Sequence, residues 1–201
     1  TQVADEMLFL QFLTACAART SQMLNLADIA RDIGISAPTA KQWLSILITS
    51  GIVILLEPYF NNRMKRIIKS PNLYFMDTGL CAYLTKWNNS ESLETGSMSG
   101  AFFKTFVVSE VIKSYQNLCL QAPISYYRDK DKREIDLIIE QNNTLYPIEI
   151  KKSASPKKDA IKNFKVLDKS GVNVGTGAVI CMARDLVPLD KDNWLVPVWL
   201  L

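Results

Sequence analysis

Histidine is absent from this 201-residue chain. That absence removes Ser-His-Asp and Cys-His catalysis and any histidine-ligated zinc. Acid–base chemistry must then come from carboxylates, lysines, tyrosines or metal-bound water. Cysteine is scarce. The four, at positions 16, 81, 119 and 181, form no CxxC pair. They read as reduced, buried thiols of a cytoplasmic protein, not as a disulfide framework or a zinc site. No signal peptide and no apolar run long enough to span a membrane is seen. No GxxxxGK[ST] motif is present, so this piece carries no ATP site of the P-loop kind. The net charge of +3 is too small by itself to argue for nucleic acid. The chain opens on Thr1 and enters a helix-like pattern almost at once, which reads as a fragment of something longer.

What is present is material for a core: 48% of the residues are apolar, enough for one large domain or two small ones. The charge is uneven. Arg63, Lys65, Arg66 and Lys69 form one basic cluster, and Lys151, Lys152, Lys157, Lys158, Lys162 and Lys165 form another, relieved by Asp159.

Residues 5–18 read as an apolar helix. Asn25 can cap a second helix that stops at Gly34, and a third opens with Pro38 and stops at Gly51. The run 52–60, a turn at Asn61-Asn62 and the run from Arg63 onward read as a two-stranded ribbon. Helix, helix-turn-helix and ribbon make a winged-helix pattern over residues 1–85. The segment from Lys86 to Gly100 reads as a linker or loop. Residues 98–201 then read as helix, three strands, a basic helix from about Lys157 to Asp168, and two further strands. The expected class is α+β, a mixed α/β arrangement.

The richest stretch runs from Arg133 to Lys152, REIDLIIEQNNTLYPIEIKK. Two strand-like runs flank Asn142-Asn143. A hairpin closed there pairs Gln141 with Thr144 and sets Asp136 opposite Glu149 and Glu134 opposite Lys151. By alternation these four share one face, and Ile135, Leu137, Ile139, Ile148 and Ile150 share the other. Two acids and a lysine held together on a sheet can bind a divalent metal and activate a water beside it. The competing reading is a solvated face with a Glu134–Lys151 ion pair. The like charges of Asp136 and Glu149, directly opposed, count against it.

Glu110, on the helix before the sheet, is either a further metal ligand or an exposed charge at the edge of an apolar face marked by Phe103, Phe106, Val107 and Val111. Arg63, Lys65, Arg66 and Lys69 either touch phosphates or form a solvated wing. The third helix offers only Thr39, Lys41, Gln42 and Ser45 as polar contacts, which is poor for reading bases. Lys157 and Lys158, with Lys162 and Lys165, either line a nucleic-acid groove or face solvent. Trp43, Leu44 and Leu47 read as core.

The elements LYFMDTGLCAYL, GAFFKTFVVSEVIKSY, YYRDKDKREIDLII and LYPIEIKKS resemble the C-terminal region of a group of bacterial and archaeal AAA-type ATPases. That region joins a winged helix-turn-helix to a restriction-endonuclease-like domain similar to PD-(D/E)xK nucleases. The resemblance implies a P-loop ATPase domain ahead of Thr1 and a Mg²⁺ or Mn²⁺ cofactor. It implies metal and water-activating roles for Asp136, Glu149 and Lys151, with Glu110 as accessory ligand and the Ile150 carbonyl as a further one. The family commonly has Phe-Glu where this chain has Phe103-Lys104. The leading expectation is a Mg²⁺-dependent DNA phosphodiesterase attached to an ATPase. The alternative is a non-catalytic module that binds nucleic acid or protein and regulates that ATPase. A transcription regulator is disfavoured by the sparse third helix. Expected partners are DNA, the ATPase domain and a second copy of the chain, with no membrane.

Overall fold

The structure, a computed structural model, describes residues 2–61 and 70–201, with side chains from residue 5. The basic cluster Arg63, Lys65, Arg66 and Lys69 lies outside the described residues. Contacts divide the chain into two units, Thr1–Leu55 with Ser70–Ser109, and Leu56–Lys69 with Glu110–Leu201. Both mix helix and strand.

The first unit begins with α1 (Gln2–Ala17), a short strand β1 (Gln22–Met23), α2 (Leu26–Ile33) and α3 (Ala37–Thr49). Side chains fix the helix starts: Asn25 accepts from Asp28 N–H and Ser36 from Thr39 N–H, so one orphan donor at each N-terminus is satisfied. Gly34 ends α2 in the left-handed conformation at φ 79° and returns its N–H to the last turn. A Cβ at Gly34 would meet no atom within 4 Å, so only the backbone strain of a left-handed L-residue is at stake. Gly34→Ala is therefore expected to cost about 1 kcal/mol, read by urea unfolding. Strands β2 (Val53–Leu56) and β3 (Asn72–Phe75) complete a three-stranded sheet of order β1-β3-β2. Phe12, Ile29, Leu44, Leu47, Leu73 and Phe75 are among the buried core residues. Trp43 packs edge-on against Phe9 and Phe12, with ring centroids 5.4 and 5.7 Å away.

Three sequence expectations need correction here. The apolar run 52–60 is not one strand: β2 stops at Leu56, because Pro58 has no N–H to give a ladder. The stretch from Lys86 to Gly100 is not a bare linker. It follows α4 (Thr78–Leu84) and contains α5 (Ser90–Thr95), which Asn89 caps by accepting from Ser92 N–H at 2.8 Å. Helix α6 (Ser99–Asn117) comes next. Its buried face runs through Phe102, Val107, Val108, Val111 and Ile112, whereas Phe106 is exposed, so the face is rotated from the one expected.

The second unit is built on a seven-stranded sheet. Strands β4 (Ile124–Arg128), β5 (Glu134–Gln141) and β6 (Thr144–Lys151) form an antiparallel meander. The turn Asn142-Asn143 has positive φ at both residues, as a two-residue hairpin turn requires. β7 (Asn173–Val174) and β8 (Gly177–Cys181) run parallel to β6. β10 (Asn193–Pro197) is parallel to β8, and β9 (Val187–Pro188) closes the far edge antiparallel to β10. The edge at β4 is covered by the chain that follows β2. Tyr59 N–H donates to the Tyr126 carbonyl at 2.6 Å, and Tyr126 N–H donates to the Glu57 carbonyl at 3.1 Å. Pairing the edge in this way removes a free row of donors and acceptors.

The basic helix expected from Lys157 to Asp168 is instead two 3₁₀ segments, Lys158–Ile161 and Phe164–Ser170. Phe164, Leu167 and Ser170 are buried at a spacing of three, the period of a 3₁₀ helix. The lysines therefore do not line up as a continuous α-helical stripe. Of the cysteines, Cys16, Cys81 and Cys181 are buried free thiols, as their spacing suggested, but Cys119 is exposed in the turn after α6. Burial pushes the Cys16 and Cys81 thiols up to about 12, which leaves both inert as nucleophiles. Among the described residues no helix is long and apolar enough to cross a membrane.

Candidate functional site

The β5–β6 hairpin has the expected register. Gln141 pairs with Thr144, and the count continues through Leu137 with Ile148. Asp136 and Glu149 come next. At that point a bulge intervenes on the other side of β5. Ser125 of β4 stands opposite Ile138, but Tyr127 stands opposite Ile135, so Asp136 and Leu137 together face Tyr126. A bulge breaks alternation and re-aims side chains. Ile135 and Ile138 consequently share one cluster with Tyr127, Leu145, Phe164 and Leu167.

The bulge corrects the expected polar face. Glu134 stands opposite Arg128 and is held by it at 3.1 Å, not set against Lys151 by the hairpin register. Asp136 is 3% exposed, and its Oδ2 accepts the backbone N–H of Ile150 at 2.9 Å. Glu149 is 7% exposed, and its Oε1 takes Lys151 Nζ at 2.6 Å. The three predicted residues thus meet around one peptide: Asp136 is bonded to Ile150, and Ile150 sits between Glu149 and Lys151. The sheet at this point is buried on both faces, so these carboxylates are not on a solvated strand face. Strands β6 and β8 pair Glu149 with Val179 and Lys151 with Cys181.

Glu110 is ion-paired with Lys113 at 2.8 Å, one turn along α6. Among the described residues no three acidic or thiol groups converge as a metal-ligand set.

Glu149 and Lys151 line a cleft of about 450 Å³ whose opposite wall is residues 153–163, including Lys157 and Lys162. Lys158 lines a neighbouring cleft of about 730 Å³ with Lys162 and Lys165, where Asp159, Asp168, Asp190 and Asp192 offset the lysines.

Sequence reasoning passed over Asp129. It is 1% exposed and organises the turn between β4 and β5. Its Oδ1 accepts from the N–H groups of Asp131 and Arg133 at 2.9 and 3.0 Å, and its Oδ2 accepts from Arg133 Nε at 2.8 Å and from the Tyr127 hydroxyl at 3.2 Å. Burial alone would raise this carboxyl. The Arg133 N–H, the Arg133 charge and the hydroxyl of Tyr127 outweigh burial and hold it below its ordinary 3.8. Tyr127 is pushed up to about 12, first by burial and then by the Asp129 charge. The signal available in the sequence was the composition of DKDKR, because an aspartate that opens a turn often bonds the backbone two residues on.

The lowered carboxyl has a pH consequence. Below 3.8 the unfolded chain binds a proton that folded Asp129 refuses, so this contribution to stability is complete above that pH. It is lost as pH falls through the lower folded value. Urea unfolding followed from pH 6 down to about pH 2 should show stability dropping on the acid side. In Asp129→Asn the drop should be shallower, and an unchanged acid slope would contradict the assignment.

Comparison with known proteins bears on the whole chain. Residues 1–91 match a domain of unknown function, DUF8612. Residues 99–201 match a second, DUF4143. Uncharacterized proteins of Mycobacterium bovis and Mycobacterium tuberculosis are each 31% identical over 143 residues, which is 71% of this chain and 32% of each relative. The match therefore spans about a third of the length of these curated relatives. No solved structure matches the chain. Since the second match takes in more than half of the residues, the chain belongs to the DUF4143 family.

Proposed function

We propose that the second unit is a restriction-endonuclease-like, PD-(D/E)xK domain that hydrolyses phosphodiester bonds of DNA with Mg²⁺ or Mn²⁺, and that it works as part of an AAA-type ATPase. The observation that carries this reading is the meeting of Asp136, Glu149 and Lys151 around the Ile150 peptide. The residues suit a sparse Mg²⁺ site: two carboxylates and the Ile150 carbonyl, with water and substrate phosphate completing the shell, as this ion prefers. A bound Mg²⁺ would supply charge neutralisation at phosphorus and a water acidic enough to attack at neutral pH.

The chain's own groups do the rest. Ile150 N–H fixes one oxygen of Asp136. Glu149 holds the Lys151 ammonium in place. Lys151, half-exposed at the cleft, meets the negative charge that develops on the non-bridging oxygens. Water gives up a proton to solvent as its oxygen bonds to phosphorus, the bond to the leaving sugar oxygen breaks, and that oxygen takes up a proton from solvent.

The order of elements in residues 1–85 supports a winged helix-turn-helix. Its third helix exposes Lys41, Gln42 and Ser45 beside the apolar Ile46 and Ile48. That surface suits weak phosphate contact or protein docking better than base reading.

A second reading is a non-catalytic module of the same fold that regulates the ATPase. It is favoured by Lys104 in place of the family's usual acid and by Glu110 pairing with Lys113. The two readings separate in one assay on the whole protein: labelled single-stranded, duplex and branched DNA with Mg²⁺, Mn²⁺ or EDTA. Metal-dependent cutting of any substrate supports hydrolysis. Three intact substrates with both metals leave the regulatory module.

A further inference from the structure

The cleft beside Glu149 and Lys151 has features that neither metal binding nor hydrolysis accounts for. Its outer wall is pinned to the sheet at both ends. The Ser153 carbonyl accepts from Met182 N–H at 2.9 Å, and Asn163 Nδ2 donates to the Glu134 carbonyl at 3.0 Å. Between these points Ala160 and Ile161 pack against the cluster of Val179, Cys181 and Leu195. The wall is thus a built structure and not a loose loop. It turns Lys157 and Lys162 and the hydroxyls of Ser153 and Ser155 toward the space beside Lys151.

Three lysines, Lys151, Lys157 and Lys162, line the cleft against two carboxylates, Glu149 and Asp159, so the balance is positive by one. Lys157 makes no ion pair among the described residues. Among the described residues Lys162 is ion-paired with Asp159 alone, at 3.0 Å, with both side chains more than half exposed, a weak contact that an anion can replace. No aromatic residue lines the cleft. A nucleobase would find no stacking surface there, whereas a phosphate would find ammonium and hydroxyl donors. The volume, about 450 Å³, is at the lower end of pockets that take one small ligand, roughly 300–1,000 Å³. Glu149, which lines the cleft, is almost fully buried.

We infer that this cleft is a phosphate-backbone subsite for an unpaired strand, with Lys157 and Lys162 gripping the phosphate next to the one at Lys151. The inference rests on the hydrolytic reading for its orientation and names the substrate class of that site. A single backbone can descend between β6 and the wall to the buried carboxylates. A duplex carries its two backbones on the outside of a stiff cylinder and meets the wall first. Recognition is indifferent to base sequence, because nothing in the lining reads an edge.

The test uses a fluorescein-labelled oligonucleotide, unpaired and annealed to its complement, bound to the 201-residue chain in EDTA across a salt series. The unpaired strand should bind on the order of tenfold tighter than the duplex. Lys157→Ala and Lys162→Ala should each weaken it on the order of fivefold and flatten the log–log salt slope by about 0.7, the increment for one single-strand phosphate contact. Both lysines are exposed, so folding is not at risk. Lys130→Ala, at an exposed lysine of the β4–β5 turn that lines neither this cleft nor its neighbour, should change neither value. Duplex binding as tight as single-strand binding, or lysine variants that bind like the wild type, overturns the subsite. Binding in EDTA is independent of cutting. A protein that binds as expected but never cuts with Mg²⁺ sinks hydrolysis and leaves the subsite. One that cuts duplex and ignores Lys157 and Lys162 does the reverse.

Discussion

Asp136→Asn is expected to lower Mg²⁺-dependent DNA cleavage at least about a hundredfold, and Lys151→Ala by roughly a thousandfold, with the fold intact in both. The asparagine carbonyl can still accept Ile150 N–H, which Asp136 Oδ2 accepts now at 2.9 Å. Stability should therefore change by less than about 1 kcal/mol. What asparagine lacks is the negative charge that would hold a divalent ion. Lys151 is 45% exposed in its side chain, so its removal opens no core cavity. It does leave Glu149 without its ammonium partner, and the phosphate without a positive charge. Initial rates on a labelled strand in Mg²⁺ check the prediction, with circular dichroism to confirm folding. A Lys151→Ala protein that cuts at the wild-type rate removes lysine from the reaction.

The second large effect is structural. Asp129→Ala is expected to destabilise the chain by about 2–4 kcal/mol. Four donors converge on this buried carboxylate, two from the backbone of the turn and two from Arg133 Nε and the Tyr127 hydroxyl. Alanine leaves the hydroxyl of Tyr127, a buried residue, without its acceptor. It also frees the turn that places Glu134 at the start of β5, two residues before Asp136. Cleavage should fall together with stability. Asp129→Asn retains an acceptor and should lose about half as much. Urea unfolding followed by tryptophan fluorescence measures this. A loss below about 1 kcal/mol for the alanine variant would show that the turn holds without its carboxylate.

The hairpin was legible because its signals are local. Two polar residues between two apolar runs specify a turn with positive φ, and a two-residue turn sets the register of everything that follows. The caps at Asn25 and Ser36 and the stop at Gly34 were readable for the same reason. The meeting of Asp136 with Glu149 and Lys151 followed from that register alone.

What the chain concealed depends on neighbours far along it. Nothing in EIDLIIEQ marks a bulge at Asp136-Leu137. It arises because β4 pairs with β5 out of step with the hairpin, and one extra residue must be absorbed. That bulge takes Glu134 to Arg128 and spoils the expectation of four polar residues on one face. Similarly, the lysine-rich run reads as a helix by spacing, yet it folds as two 3₁₀ segments. Phe164, Leu167 and Ser170 are buried at intervals of three, and Asn163 is tied to Glu134.

By itself the sequence determined the β5–β6 hairpin, the caps of α2 and α3, and that the acids and the lysine of D-x12-ExK come together on adjacent strands. Short-range forces suffice for that: hydrogen bonds to orphan helix donors, turn geometry and period-two alternation. Tertiary structure alone decided how deeply those groups lie, which charges pair, and that Lys157 and Lys162 face the same cleft as Lys151. Those outcomes are set by burial and by pairing between segments distant in the chain, where the low-dielectric interior makes each unsatisfied charge costly enough to select its partner.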